Sequence, residues 1–539
     1  MSSVGKGVAL GDDSPLEDKG DKSPAQAGIA TSVLDDPIFR VLRVNGSQDR
    51  LTLPGLLLAL SEDDVTSLIG VRAHQAHTVH MFLAQLVSLA GPDTDPDEAS
   101  WKTALLSVCP DLKAWQITPA PGEYGFMQPA IPDGVHLKKA SLTVSGIDLL
   151  QISNMHNVKL EASAPQEDDV WLWHLITLQT GGGFPGMTNY GAFRMNGGWS
   201  SRSLWAVYDR SWGLGRRVFE DARLILTDLD KGALYGFSPE GLKLMWTASW
   251  EEGERLSAGD LDYRVIEVCR RVQLERQPSG ALMARVGNSK KPRTALAEST
   301  SPQFLRGVCG DIWAPIDTSK ADLPKATSMV PAGTQYENIA KTVIHGADTS
   351  INAPAAVLRS VPDPVLHVAG VANGQGKTGG LHRRQIDFGK MKKSGLGLSS
   401  PTLGSVASMM IEQAEVLMST LRYAIAAYAG KNVNNEVKNR YLDLAREAVD
   451  NAFFDYLPRA AAAGGNYADW VSFLYRLGEA VLEDVFAGVP VKATQRMRLT
   501  SSATGAYHGM FWSEKRKGPT FEAYKEKIMN TGKGKNVAH

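Results

Sequence analysis

The stretch "GVANGQGKTGG", at residues 370–380, contains the Gly-Lys-Thr triplet of a phosphate-binding loop. A nucleotide-binding loop has the pattern G-x-x-x-x-G-K-[ST], in which backbone amides surround the phosphates and the lysine neutralises them. Here Gly370 and Gly376 enclose five residues, and two glycines follow Thr378 where a helix should begin. A nucleotide-dependent enzyme that uses Lys377 and Thr378 is therefore the alternative hypothesis, and an ordinary glycine-rich hairpin is the simplest interpretation.

Basic side chains surround this glycine-rich stretch. Between residues 373 and 395 the sequence has six Lys or Arg and one acid, although the whole 539-residue chain has a net charge of −1. Such a local patch suits a nucleic-acid backbone, and Lys377, Arg383 and Arg384 are the predicted phosphate contacts. Gln375, between two glycines, offers both a donor and an acceptor on a thin tip that can approach base edges.

Two further loops have the composition of nucleic-acid contacts. Three consecutive glycines in "LQTGGGFPG", at residues 181–183, favour a loop that approaches another molecule closely, and a mobile surface loop is the alternative. The turn "GNSKKPRTA" carries Lys290, Lys291 and Arg293 after an apparent strand. Its lysines are therefore predicted to project as a finger.

No pattern of catalytic or metal-binding residues stands out. His74, His77 and His80 lie at spacings of three in one predicted helix, but without an H-E-x-x-H motif, so a packed helix is favoured over a metal site. The three cysteines are far apart, which argues against a disulfide framework and a thiolate zinc site. We therefore predict a protein without enzymatic activity, cofactor or metal.

The elements that must position these loops divide the chain into regions. Residues 1–35 are rich in Gly, Ser, Pro and Asp, which predicts a disordered N-terminal extension without a secretory signal. Residues 36–395 alternate short apolar runs with Gly, Pro and Ser clusters, which predicts a mixed α+β domain. Within it, "IFRVL", "RLTLPGLLLAL" and "ARLILTDLD" are interpreted as strand-like runs, whereas Val79, Phe82 and Leu86 mark one face of a helix.

Helical periodicity dominates residues 396–515. It predicts helices at 405–429, 434–461, 468–487 and about 494–513, joined by short turns, and this pattern favours an antiparallel four-helix bundle. The fold class is thus α+β, with a large irregular mixed N-terminal domain followed by a C-terminal four-helix bundle. Residues 516–539 are polar and predict a basic flexible tail. No apolar run reaches the ~18–20 residues of a membrane span, so a cytoplasmic protein is expected.

Taken in order, these motifs resemble the CasA family, the large subunits of the type I-E CRISPR surveillance complex called Cascade. The resemblance lies in "VRAHQAHTVHMFLAQL", "YGFMQP", "LLQISNMHNVKLE", "LQTGGGFPG", "GDIWAPID" and "VLHVAGVANGQGKTGGLHRR", followed by the helical bundle. It implies a non-enzymatic protein of the prokaryotic cytoplasm that recognises the protospacer-adjacent motif in duplex DNA, starts strand separation and helps recruit a helicase–nuclease. The implied partners are a guide CRISPR RNA, target double-stranded DNA, other Cascade subunits and that nuclease, with no membrane.

The resemblance also implies roles for individual residues in reading the motif. Gln375 would be a wedge beneath the first unpaired bases, with Asn373 and Gly374 beside it. Gly182 would be the glycine-loop position that meets the minor groove. Unstacking the bases costs a few kcal/mol, which such a wedge must offset.

The lysine finger and the RNA contact complete the implied site. The finger would be Lys290 or Lys291. His156 and Lys159, in "SNMHNVK", would contact the 5′ handle of the guide RNA or the neighbouring subunit. In contrast to some members of the family, this chain has no cysteine cluster in its middle region, and a scaffold whose bundle docks partners is a further alternative.

Overall fold

A computed structural model describes residues 32–137, 139–152, 166–184, 186, 188–196, 198–297, 306–344, 350–374, 377–393, 400–430, 434–514 and 519–533. The strands are β1 (Phe39–Arg43), β2 (Gln48–Leu51), β3 (Val65–Leu68), β4 (Lys139–Ser141), β5 (Leu204–Asp209), β6 (Leu242–Leu244), β7 (Leu261–Ile266), β8 (Arg271–Arg276), β9 (Leu282–Gly287), β10 (Ile316–Asp317), β11 (Lys325–Ala326), β12 (Ile351–Asn352), β13 (Pro364–Gly374) and β14 (Lys377–Asp387). The helices are α1 (Leu53–Ser61), α2 (Ala76–Ala90), α3 (Glu98–Val108), α4 (Asp168–Gly181), α5 (Leu214–Thr227), α6 (Tyr336–Val343), α7 (Gly389–Lys393), α8 (Pro401–Ala429), α9 (Asn435–Ala462), α10 (Ala468–Gly488), α11 (Ala493–Phe511) and α12 (Glu522–Lys533).

Two of the runs interpreted as strands are helical instead. "RLTLPGLLLAL" leaves β2 at Leu51 and enters α1, because the Thr52 hydroxyl accepts a hydrogen bond from the Gly55 amide (3.0 Å) and Pro54 occupies the first turn. The first six residues of "ARLILTDLD" complete α5, which ends at Thr227 with Asp228 as its C-cap. In both cases the apolar run is too short for its periodicity to separate a buried helix from a strand.

Helix α2 lies at the centre of the N-terminal core. The predicted apolar face is buried, but so are the remaining sides, including His77, His80 and Gln85. A helix that is buried all round needs partners for its polar side chains, and the Gln85 side chain donates to the Val265 carbonyl (3.0 Å). Residues 32–35, predicted to belong to the disordered extension, begin this core, since Val33 is fully buried and Leu34 nearly so.

The sheet β14-β13-β5 joins the two halves of the molecule. Strand β5 is buried along its whole length, and its side chains alternate between two hydrophobic cores. Leu204, Ala206 and Tyr208 pack in the core around α2, whereas Trp205 and Val207 pack in a second core with the C-terminal helices. The mixed domain and the bundle therefore share the strands of one sheet.

The predicted four-helix bundle is confirmed in α8, α9, α10 and α11. Asn434 caps α9 by accepting from the Glu436 amide (3.0 Å), and glycines with positive φ, Gly430 and Gly464, end the first two helices. The tail differs from its prediction. Residues 522–533 form α12, whose Ile528 is buried against the bundle, as is Phe521 just before it.

Candidate nucleic-acid interface

The glycine-rich stretch that carries Lys377 and Thr378 is a β-hairpin. Strands β13 and β14 pair antiparallel from Val365 and Asp387 up to Gly374 and Lys377, and Gln375 lies outside the described residues. A phosphate-binding loop must open a helix, whereas β14 continues as a strand for ten residues beyond Lys377. The hairpin therefore does not have the geometry of the nucleotide site considered as the alternative.

The glycines after Thr378 have a structural explanation. The register between the strands shifts between Ala372 and Asn373, so that Ala372 pairs with Gly380 and Asn373 with Thr378. Gly379 is the extra residue of this bulge, and Gly380 adopts a φ of +86°, which glycine tolerates without strain. This part of the glycine pattern belongs to the hairpin and needs no ligand.

Asn373 lies where the hairpin leaves the body of the protein. Its side-chain amide donates to the Leu149 carbonyl (3.4 Å), and its backbone amide contacts the Ser200 hydroxyl (3.5 Å). Leu149 begins the 3₁₀ turn Leu149–Ile152, which immediately precedes the segment with His156 and Lys159. Those two residues lie outside the described residues, and this turn is the last described element before them.

The glycine loop follows directly from the end of α4. Gly181, Gly182 and Gly183 are all buried, and a Cβ on Gly182 would lie 2.5 Å from the Leu178 carbonyl oxygen. A Cβ on Gly183 would meet the Ser200 carbonyl oxygen at the same distance. These glycines thus allow close approach of the protein's own backbone. Gly182 was predicted to contact a DNA groove, but it is buried, and the more accessible part of the loop begins at Phe184.

Hydrogen bonds connect the glycine loop to the hairpin. The Ser201 amide donates to the Val371 carbonyl (2.9 Å), and the Val371 amide donates to the Ser201 hydroxyl (2.9 Å). The Arg202 amide donates to the Gly181 carbonyl (3.1 Å), and the Phe184 amide donates to the Gly198 carbonyl (2.9 Å). The loop and the hairpin base therefore form one connected surface.

The lysine loop lies beside the glycine loop. The Tyr190 hydroxyl donates to the Lys290 carbonyl (3.0 Å), the Ser289 amide donates to the Thr188 carbonyl (3.2 Å), and the Lys290 amide donates to Glu252 (2.7 Å). These bonds fix the loop backbone while the side chains of Lys290 and Lys291 remain exposed. The structure therefore brings the predicted finger next to the predicted glycine loop.

Arg293 is not part of the finger. It is 3% exposed, lies over the Trp250 ring at 5.3 Å and donates to the Ala248 carbonyl (3.1 Å). Burial, with the nearby charge of Arg271, lowers the pKa of Arg293 to about 10. Its role is to hold the base of the loop.

The two neighbouring arginines of β14 have different surroundings. Arg383 is exposed and so is free to meet a phosphate. Arg384 forms a two-oxygen ion pair with Asp450 of α9 (2.7 and 2.6 Å) and donates to the Asp450 carbonyl (2.9 Å). Arg384 was predicted to contact a phosphate, but its guanidinium is already paired with Asp450 within the protein.

Aromatic residues of the glycine loop were not predicted as part of the site. Phe184 packs against Tyr190 (ring centroids 5.8 Å) and against Trp199 (6.1 Å). Ser200 and Ser201, which bind the hairpin, were also missed. Their signal in the sequence is weak, because a serine or an aromatic residue in a glycine-rich loop has no spacing that distinguishes it.

Solved structures share this fold along almost the whole chain. The structure of Thermus thermophilus CasA (Cse1) has 13% sequence identity and a TM-score of 0.58 over 89% of this chain and 99% of that chain. Thermobifida fusca Cse1 has 13% identity and a TM-score of 0.59 over 89% and 96%. A chain of a CRISPR RNA-guided surveillance complex has 13% identity and a TM-score of 0.58 over 89% and 99%. This chain has the CasA fold.

The predicted resemblance and fold class are therefore confirmed by structure. No protein-family profile matches the CasA-like chain, and no curated protein matches its sequence. At 13% identity, what the chain shares with the CasA structures is the fold, and the hairpin and loops described above are features of this chain itself.

His77 and His80 lie in α2, whereas His74 lies in the turn before it, and all three are buried in the core of this CasA fold. His74 lies 2.8 Å from Asp148, and His80 lies 2.8 Å from Asp221. His77 Nε2 lies 3.1 Å from the Arg202 carbonyl oxygen. Over the residues that the structure describes, no group of His, Cys, Asp or Glu is arranged to hold a metal ion. The same part of the CasA-like chain contains no helix with the length and apolar character to cross a bilayer.

Proposed function

We propose that this chain is the large subunit of a Cascade-type, RNA-guided surveillance complex. It recognises the protospacer-adjacent motif in duplex DNA, starts strand separation and helps recruit the effector helicase–nuclease in the prokaryotic cytoplasm, without catalysing a reaction itself. Its partners are a guide CRISPR RNA, target double-stranded DNA and the other Cascade subunits. The observation that supports this proposal best is that the hairpin base, the glycine loop and the lysine loop are hydrogen-bonded into one surface on a CasA fold.

Each part of this surface has a distinct role in the proposal. Gln375, flanked by Asn373 and Gly374 at the hairpin tip, wedges beneath the first unpaired bases. Lys290 or Lys291 and the accessible part of the glycine loop meet the minor groove, while Lys377 and Arg383 neutralise phosphates. His156 and Lys159, which follow the Leu149–Ile152 turn in the sequence, contact the handle of the guide RNA or a neighbouring subunit.

The wedge is tested in the assembled, guide-loaded complex. Gln375→Ala should reduce R-loop formation on a matched target at least about tenfold, because the complex loses the group that offsets base unstacking. Gln385→Ala is the matched control, since Gln385 is an exposed glutamine of β14 near the far end of the hairpin. Equal R-loop rates for Gln375→Ala and the unchanged complex would contradict the wedge.

The phosphate contacts are tested by the salt dependence of target binding. Arg383→Ala should lower the slope of log affinity against log salt by about one, as expected for a lost phosphate contact. Arg384→Ala should leave that slope unchanged, because its guanidinium is paired with Asp450. If the two neighbouring variants change the slope equally, Arg384 leaves Asp450 for DNA and the assignment of these two residues must be revised.

The contact of the glycine loop with DNA is tested at Asn189 rather than at Gly182. Gly182→Asp would place a Cβ against the Leu178 carbonyl and disturb the end of α4, so that lost binding would not identify a DNA contact. Asn189→Asp, in the more accessible part of the loop, adds a negative charge and should weaken duplex binding, with Asn189→Ser as the neutral control. Absence of DNA crosslinks from both this loop and the hairpin would favour the scaffold alternative.

A further inference from the structure

A cavity of about 600 Å³ lies between the N-terminal part of the core and the β14-β13-β5 sheet. Apolar side chains from both sides line it, including Leu83 of α2 and Ala369 of β13. Ser67 and Gln385 also line the cavity and are exposed, so it opens to solvent at their side. Its volume falls within the range of ordinary small-molecule sites.

Two arginines of this cavity lack a salt bridge to any described residue. Within the described part of the chain, neither Arg217 of α5 nor Arg383 of β14 forms an ion pair, and the buried Nε of Arg217 has no hydrogen-bond acceptor. Burial lowers the pKa of Arg217, Tyr208 and Asp63 partly oppose this shift, and the charge of Arg383 adds to it. The half-buried Arg217 guanidinium lies over the Tyr208 ring at 5.6 Å, and its unpaired Nε favours binding of an anion.

The carboxylates near the cavity are already occupied. Asp63, which lines it, accepts from the amides of Gly213 (3.1 Å) and Arg216 (2.9 Å) at the start of α5. Asp221, beneath it, is paired with Arg359. The charge of Asp63 acts on Arg217 from a distance, but no carboxylate among the described residues forms a salt bridge with Arg217 or Arg383.

An aromatic ring lies in the same cavity. His367 of β13 packs edge-on against Tyr208 with ring centroids 5.3 Å apart. Burial, together with the charges of Arg217, His80 and Arg383, lowers the pKa of His367 to about 3, so the ring is neutral near pH 7. A neutral imidazole beside apolar side chains offers a flat surface on which a base can stack.

We propose that this cavity binds a nucleotide unit, with its phosphate at Arg217 and Arg383 and its base against His367 and the apolar wall. The unit comes either from a free nucleotide or from a nucleic-acid strand whose base has left the stack, since both present the same chemistry. The site is separate from the hairpin tip and shares only Arg383 with the phosphate contacts proposed above, so its test uses Arg217 and does not depend on motif recognition.

The experiment uses the isolated full chain without guide or duplex, so its result is independent of motif recognition. Binding of AMP is measured by calorimetry, with inorganic phosphate as a second titrant and a short single-stranded oligonucleotide as competitor. Arg217→Gln should weaken AMP binding about tenfold or more. Arg216→Gln, at the exposed neighbouring position that pairs with Glu220, should leave it unchanged.

A second variant tests the cavity without removing charge. Ala369→Leu narrows the space beside His367 and should also weaken AMP binding. Competition by the oligonucleotide identifies a strand as the source, and AMP binding without competition identifies a free nucleotide. Absence of saturable AMP binding, equal loss in Arg216→Gln, or equal affinity for inorganic phosphate would overturn the proposal.

Discussion

The two halves of this molecule bury different kinds of side chain. The mixed domain buries many charged groups, among them Asp148, Asp169, Arg202, Asp221, Glu267 and Arg271. In the described part of the C-terminal helices no charged side chain is buried, and the only buried polar ones are Gln413 and Thr420. The bundle core consists instead of aliphatic and aromatic residues, such as Phe453 packed against Trp470.

This difference follows from how each half satisfies its backbone. Helices pair their own amides and carbonyls, so the bundle needs only apolar contacts between them. The mixed domain consists of short strands, turns and loops whose buried polar groups require partners from elsewhere in the chain. Asp221 is an example, since it accepts from His80 (2.8 Å), Tyr208 (2.7 Å), Trp313 (2.8 Å) and Arg359 (2.5 Å).

The largest expected effect is therefore the loss of this carboxylate. Asp221→Ala should destabilise the mixed domain by about 3–5 kcal/mol, because Arg359 and three other donors lose a buried partner. Hydrogen exchange measured by mass spectrometry should show faster exchange in α2, α5 and β5 than in the bundle helix α10. Equal acceleration in both halves would contradict the contrast between them.

The second expected effect is a dependence on pH confined to the mixed domain. Burial, with the charges of His74, Arg202 and His80, lowers the pKa of His77 to about 4. Between pH 6.5 and pH 4 the unfolded state therefore binds a proton that the folded state does not, and stability falls as the pH falls, by roughly 2–3 kcal/mol in total. Urea unfolding of the protein and of His77→Gln at several pH values should show a shallower dependence in the variant.

A smaller effect is expected where the two halves meet. Arg384 and Asp450 are each about one-quarter exposed, and their ion pair connects β14 to α9. A double-mutant cycle with Arg384→Ala and Asp450→Ala should give a coupling energy of about 1 kcal/mol. A coupling near zero would mean that the shared sheet, rather than this pair, holds the bundle against the mixed domain.

The smallest effect is expected on the surface of the bundle. Asp443 and Arg446 form an exposed ion pair at three-residue spacing in α9. Asp443→Asn should change stability by less than about 0.5 kcal/mol, because water and salt screen such pairs. A loss comparable to that of Asp221→Ala would show that charge matters as much in the bundle as in the mixed domain.

The contrast also explains which predictions from sequence succeeded. The bundle was predicted with helix limits close to those observed, because its signal is local periodicity and turns. The hairpin was among the interpretations considered for the glycine-rich stretch. In the mixed domain, α1 and α5 were interpreted as strands, since a short buried run has the same composition in either form.

The residues of the site were predicted less completely for a related reason. A row of glycines indicates that something approaches the backbone, but not that the approaching group is Leu178 or Ser200 of the same chain. In the same way, Arg383 and Arg384 are indistinguishable in sequence. Only the fold shows that the second pairs with an aspartate 66 residues away.

The length of the hairpin past β5 is fixed by the number of residues in its two strands. Strand β13 pairs with β5 only between Pro364 and Ala369, and residues 370–374 continue about 16 Å past the end of β5. Residues 370–372 are buried, so the hairpin leaves the body of the protein at Asn373. Inserting one residue into each strand of this projection would turn the tip to face the opposite way, since side chains alternate along a strand. Inserting two would advance it by about 7 Å with its orientation preserved. A longer hairpin whose tip keeps its orientation therefore requires two added residues in each strand.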